Sequence, residues 1–436
     1  MVDKKIRSQL IPLMKEIKLL EPADNKGLKN DFFAGKNPHL AVPRGIVFYW
    51  WHTKKTFDLA KTIASFAISK YINLKNGEVS EFAAIIIGIF PKICLDNRLF
   101  NIDDVLNRKK ENLFETRAIL CVDEFIGCLW EILYEELRIS ITKWCFIIPV
   151  PKVQSQSFSL CHDGLSVVQK SDTNVWIELA NEYPSLKFLD ANTGVFDGKP
   201  SSFTNLNYDI YLVCHCEGTS NGARFNASLK LKRFLSVMFA AMQGTHEKGF
   251  LLKSGASPYK VCMQFAHRNS ESRVGIICAE LGAILPHYIS NYTLDQEVII
   301  SIKNWYHRYS QSDDRFRNKV KKAAHFINHG MNSNDIESFL NYFISLDALF
   351  GERGDVERLI LKGVKASTSS DNCEQRAKWL FDLRSELVHG GSRNVAEWNK
   401  YDRYLDHFKS SPELDVRKLA LTCLLVAFDT LPQLNE

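Results

Sequence analysis

NCEQRAKWLFDLRSELVHGG occupies residues 372–391. Ala377, Leu380, Leu383 and Leu387 recur at helical spacing, so the stretch reads as an amphipathic helix. Gly390 and Gly391 mark its end, because glycine reaches the left-handed angles that close a helix. Two residues stand out against this pattern. Arg384 lies only about 40° around the axis from Leu380, at the edge of the apolar face. His389 follows five residues later, about 140° around from Arg384 and about 7.5 Å along the axis. The two side chains converge within one chain only if the last turn loosens. The ordinary reading of His389 is a histidine at a helix C-terminus, where a partly positive ring is favourable.

A second helix upstream carries a matching irregularity. In NSNDIESFLNYFISLDALFG (332–351), Asn334 is the expected cap and Glu337 sits at the capping-box position. The apolar stripe is Ile336, Phe339, Leu340, Phe343 and Phe350, and Asp347 falls inside it. A buried carboxylate is costly without a partner, and a guanidinium fork suits a carboxylate. Asp347 and Arg384 are therefore expected to meet between the two helices. The ordinary reading of that meeting is an interhelical salt bridge that locks register.

The surroundings of these two segments are helical throughout. From about residue 295 the pattern predicts helices over 296–309, 313–329, 335–350, 355–366, 373–389, 395–409 and 413–430. The connections are short and polar, as in an all-α bundle. The expected boundary is SNYTLDQ, residues 290–296. Upstream the character differs. KWCFIIPVP (143–151), YDIYLVCHCEG (208–218) and YKVCMQFAHR (259–268) read as strands, and SFSLCHDGLSVVQK (157–170) as a hairpin around Asp163-Gly164. ASLKLKRFLSVMFAAM (227–242) reads as a helix between strands, and 56–72 and 124–139 as earlier helices. The expected architecture is multi-domain: a mixed, helix-rich region over 1–145, a β-rich α+β region over 146–294, and a helical bundle over 295–436.

Charge and cysteine usage narrow the classes. Net charge is +5, but the tail from Asp295 holds 20 Lys+Arg against 21 Asp+Glu. An anionic partner of the tail must therefore meet local patches rather than a net field. The eleven cysteines are scattered and odd in number, which reads as reduced, buried thiols and a cytoplasmic setting. The charged N-terminal stretch has no secretory apolar region. The longest apolar run, FAAIIIGIF (82–90), is about half the length that spans a bilayer, so no membrane segment is expected. Neither a GxxxxGK[ST] nor an HExxH motif occurs.

FDLRSELVHGG (381–391) resembles the signature of the Apea-like branch of the HEPN superfamily, whose ribonucleases carry Arg-x4–6-His. FISLDALFGE (343–352) resembles the preceding helix of that branch, with Asp347 where glutamate is usual; Ser385 after the arginine is usual for the branch. The likeness covers about residues 300–436. It implies an HEPN-type bundle acting as a metal-independent, cofactor-free RNA endonuclease and a homodimer, with Arg384 and His389 of two protomers lining one cleft. Asp347 and Ser385 would support Arg384. The chemistry is coherent, because histidine suits proton transfer near neutral pH and arginine suits a phosphate gathering charge. The resemblance further implies antiphage defence, abortive infection or a toxin-like role, with tRNA or phage or host transcripts as substrate. Residues 1–294 would then sense or regulate, with a phage-derived trigger. Two alternatives stay open: a non-catalytic bundle that binds RNA or protein, with Arg384–Asp347 purely structural, or an activity in the upstream region.

Other features are weighed beside these. Arg315, Lys319 and Lys322 share one face of a basic run over 315–329, and Arg393 follows the glycines; all four are candidate RNA contacts, although a solvated face is the ordinary reading. The basic run LKLKRF (229–234) carries less weight. Cys161-His162 and Cys214-His215-Cys216 lack paired C-x2-C knuckles, so no metal site is expected. Trp50-Trp51 reads as core packing before base stacking.

Overall fold

The computed structural model describes residues 3–19, 39–42, 46–49, 54–184, 208–245, 252–253, 263–267, 275–277, 284–288, 291–368 and 372–434. Two compact units emerge, Met1–Trp144 with Glu217–Arg224, and Cys145–Cys216 with Phe225–Glu436.

The first unit is built from helices α1 (Lys4–Glu16), α2 (Lys54–Lys70), α3 (Val79–Ile93), the short α4 (Ile102–Leu106) and α5 (Val122–Ile139), with a hairpin of β1 (His39–Val42) and β2 (Ile46–Tyr49). Its core joins Ile6, Leu10 and Leu13 of α1 to Ile63 of α2, Phe82, Ile86 and Phe90 of α3, and Phe125 and Leu129 of α5. The segment Glu217–Arg224 belongs here because its polar groups are satisfied here. Thr219 Oγ1 accepts from the Glu78 N–H at 3.0 Å, and the Glu81 carboxylate accepts from the Asn221 N–H at 2.9–3.0 Å. That carboxylate sits where the first turn of the following helix presents unpaired N–H groups.

The second unit contains a six-stranded sheet and the C-terminal helices. The strands are β3 (Thr142–Val150), β4 (Val153–Gln154), β5 (Phe158–Leu160), β6 (Leu165–Gln169), β7 (Ile210–Gly218), β8 (Leu252–Lys253), β9 (Met263–His267), β10 (Gly275–Ile277), β11 (His287–Tyr288) and β12 (Tyr292–Thr293). The main sheet runs β10-β9-β3-β7-β6-β5, with β5/β6, β6/β7 and β9/β10 antiparallel. Gly164, at φ +62°, turns the expected hairpin, so the Asp163-Gly164 reading holds. Helices α6 (Thr173–Glu182) and α7 (Ser220–Thr245) accompany the strands. The sheet-forming residues reach Thr293, and Asp295 then caps the next helix by accepting from the Val298 N–H at 2.9 Å.

The tail comprises α8 (Gln296–Gln311), α9 (Asp314–Asn332), α10 (Asp335–Phe350), α11 (Val356–Ser367), α12 (Cys373–Val388), α13 (Tyr401–Phe408), α14 (Pro412–Leu425) and α15 (Ala427–Leu434). No strand follows Thr293 among the described residues. An α+β region followed by an all-α region is therefore the observed architecture. Small residues permit the closest approaches. A Cβ at Gly330 would lie 3.0 Å from the Tyr342 ring, and one at Gly363 would lie 2.4 Å from Phe350. Two expected helices are broken. Residues 395–409 form a short 3-10 turn capped by Asn394, then α13, which ends at Lys409 in the left-handed region. Residues 413–430 divide at Val426 into α14 and α15.

Candidate functional site

Helix α12 ends as its glycines dictate. His389 retains the helical hydrogen bond, its N–H donating to Ser385 O at 3.1 Å, with φ −89° and ψ 5°. The chain turns only at Gly390, at φ +75°. The Gly391 N–H then donates to Glu386 O at 2.9 Å and the Gly390 N–H to Leu387 O at 3.3 Å, which together make a Schellman closure. Glu386 also accepts from Ser392 Oγ at 2.7 Å, and its side chain covers Gly391. Farther on, the Val395 N–H donates to Asp335 Oδ1 at 3.0 Å, which pins the loop to the start of α10. Asp335 stands at φ +44°, and Asn334 makes no capping hydrogen bond, contrary to the expected capping box.

The consequence for the two signal residues is plain. His389 is exposed and Arg384 half-buried, and neither side chain makes a hydrogen bond, ion pair or ring contact among the described residues. The last turn does not loosen at His389, so the angular separation of about 140° from Arg384 persists. Ser385 is half-buried beside them, and its carbonyl serves the closure. Val388, one turn past Arg384 on the same face, leaves 49% of its surface exposed.

The expected Asp347–Arg384 ion pair does not form among the described residues. The buried face of α10 is Phe339, Tyr342, Phe343, Leu346, Leu349 and Phe350, which leaves Asp347 at its half-buried edge. Its carboxylate lies over Gly351, where a Cβ would fall 1.8 Å from Oδ1. A carboxylate in that position keeps water and needs no guanidinium. Helices α10 and α12 meet instead through the Phe343 and Phe381 rings, edge to face at 5.4 Å.

The buried ion pair of α12 is a different one, and the sequence reading did not find it. Arg376 places Nε 3.2 Å from Oδ2 of Asp415, whose side chain is fully buried. Tyr404 donates its hydroxyl to the same carboxylate at 2.8 Å, and Arg376 lies over the Phe408 ring at 4.8 Å. Burial, then the Asp415 charge, hold the Tyr404 hydroxyl well above the usual tyrosine range. A signal existed: Asp415 shares a helical face with Leu419, the argument applied to Asp347.

The remaining candidates divide. Arg315 and Lys319 both reach Glu352, at 2.9 and 3.7 Å, while Lys322 is exposed and unpaired among the described residues. Arg393 is held by Glu397 through side chain and backbone. Exposed pairs of this kind contribute about 0–1 kcal/mol. Cys214 and Cys216 are buried with their sulfurs 3.7 Å apart, and His215 on the opposite strand face lies 3.1 Å from Tyr183 Oη. Among the described residues no group of three metal-ligating side chains occurs. Trp50-Trp51 lie outside the described residues. No helix of the described residues is long and apolar enough to cross a membrane.

No family model matches this chain, and no curated protein or solved structure matches it significantly.

Proposed function

We propose that the C-terminal helical region is a HEPN-type RNA endonuclease that works as a homodimer. The observation that carries this reading is the pairing of an unpartnered, half-buried arginine with an exposed histidine at the glycine-closed end of α12. Such groups contribute nothing to the fold through partners of their own, which leaves them free for a ligand. The alternative in which Arg384 is a structural partner of Asp347 loses its basis, because that pair is absent among the described residues.

The reaction needs three services. A ribose 2′-hydroxyl must lose a proton as it attacks the neighbouring phosphorus. Charge builds on the phosphoryl oxygens. The bond to the 5′-oxygen then breaks, and that oxygen takes a proton, leaving a 2′,3′-cyclic phosphate and a 5′-hydroxyl. His389 supplies the proton steps and Arg384 the charge relief. None of these steps requires a metal or cofactor.

One chain cannot bring both groups to one phosphate, since they lie on different sides of α12. A two-fold pairing across this helix end sets the imidazole of one protomer against the guanidinium of the other. Exposed Val388 supplies apolar surface at that contact. Ser385 lines the same turn, and Lys322, Arg315, Lys319 and Arg393 supply exchangeable phosphate contacts. Residues 1–294 act in this reading as a sensing or regulatory part, in antiphage defence or a toxin-like response.

The test is expression of the wild type and of His389→Ala in cells, followed by mapping of RNA 5′ ends. New 5′-hydroxyl ends that depend on His389 support the reading. Identical end maps for both proteins contradict it.

A further inference from the structure

Helices α7 and α9 pack along a seam fixed by Ser236, whose hydroxyl donates to Ala324 O at 2.7 Å. Two adjacent cations of α7 meet different fates there. Arg233 is buried, ion-paired to Asp163 and laid over the Tyr309 ring at 4.6 Å. Lys232 is half-buried and has no carboxylate partner among the described residues; its Nζ lies 3.2 Å from Nε2 of His329. One turn back along α9, the His325 ring stands 4.5 Å from the His329 ring, and its Nδ1 is buried without a hydrogen-bond partner.

We propose that Lys232, His325 and His329 form a binding site for a phosphate monoester, reached from solvent between α7 and α9. The site is independent of Arg384 and His389 and goes beyond the nuclease reading.

Three nitrogen-bearing side chains from two helices lie side by side, and the positive charge around them is only partly offset by Glu337 and Asp163. Burial, followed by the Lys232 charge and His329, pushes His325 down to about 4. Burial and then Lys232 push His329 down, with Glu337 acting the other way. Burial also lowers Lys232, and lowers Lys321 with help from Arg233 and Arg317. Near neutral pH the seam thus holds two uncharged rings beside an ammonium group. A bound dianion reverses the balance, because each ring then gains by taking up a proton and donating to an oxygen. Three donors suit the three terminal oxygens of a monoester, and two proton uptakes beside the lysine match its double charge. A divalent cation is the poorer occupant. The Lys232 ammonium stands within 3.2 Å of the ring nitrogen it would use, and no third metal-ligating side chain joins the pair among the described residues.

Full-length protein titrated with inorganic phosphate and with 5′-AMP tests the site. Calorimetry at pH 7 in two buffers of different ionisation heat reads affinity and proton uptake together. Histidine-ring NMR reads both imidazoles in the wild type, so the result does not depend on any variant folding. Binding is expected to be accompanied by net proton uptake and by a rise in the titration midpoints of both rings. Lys232→Met is expected to weaken binding by about tenfold or more, and His325→Gln with His329→Gln to remove the proton uptake. Stronger binding of a 5′-phosphorylated DNA trinucleotide than of its 5′-hydroxyl form would assign the monoester to a nucleic-acid end; AMP binding alone would assign it to a free nucleotide. The proposal is overturned by absence of phosphate binding, by binding without ring titration, by unchanged affinity in Lys232→Met, or by Zn2+ displacing phosphate from the two rings.

Discussion

Helix α12 carries two arginines two turns apart, and they do opposite things. Arg376 is clamped to a buried carboxylate that a tyrosine also holds. Arg384 has no partner among the described residues and sits beside a helix end closed by glycines. The first half of the helix is fastened and the second half presents groups. The same division recurs on α7, where Arg233 has its own aspartate and Lys232 does not. A cation with a built-in anion is part of the scaffold. A cation without one, held near solvent, is available to a ligand.

The sharpest way to break the comparison is at its fastened end. Asp415→Ala leaves Arg376 and the Tyr404 hydroxyl without their shared acceptor and is expected to cost about 3–5 kcal/mol in a denaturant titration. Stability near wild type would place Arg376 in the same class as Arg384. Next in size is Gly390→Ala. An alanine at φ +75° is expected to cost about 1–2 kcal/mol and to shift the His389 turn, read by unfolding and by RNA cleavage together.

The α7–α9 seam offers a smaller, pH-dependent effect. His325 binds protons less readily folded, near 4, than unfolded, near 6.5. Unfolding therefore takes up a proton in that window, and stability falls as pH drops from about 6.5 toward 4. In phosphate-free buffer, His325→Gln should lose less melting temperature than wild type between pH 7 and pH 4.5. Equal losses would remove the positive seam from the account. Smallest in stability is Val388→Asp, expected within about 0.5 kcal/mol of wild type because the side chain is half exposed. Its readout is association: sedimentation should show a dimer in wild type and a monomer in the variant, with cleavage lost in step.

Much of this division could be read in the sequence, and the part that could not has a physical cause. Local signals were sufficient for α10 and for the end of α12, since apolar spacing and Gly390-Gly391 act within a turn or two. Residues 395–409 misled because Trp398, Tyr401 and Leu405 recur at helical spacing, whereas the Asn394 cap and the left-handed Lys409 impose separate short turns. The Arg376–Asp415 pair joins residues 39 apart in sequence, and although Asp415 falls on the face of Leu419, its place in the first turn reads equally well as a favourable exposed acid. The Asp347–Arg384 expectation failed for the converse reason. A few tens of degrees of helix rotation moved the carboxylate from the core to its wet edge. The Lys232, His325 and His329 cluster is assembled from two distant helices and leaves no mark in either alone.

The central claim is that Arg384 and His389 are present for chemistry and not for the fold. Purified wild type, Arg384→Ala and His389→Ala should be compared for unfolding free energy and for the rate of RNA cleavage. The account predicts stabilities within about 0.5 kcal/mol of one another and cleavage lost in both variants. Cleavage at the wild-type rate in either variant, or a folding defect that accounts for the loss, would contradict it.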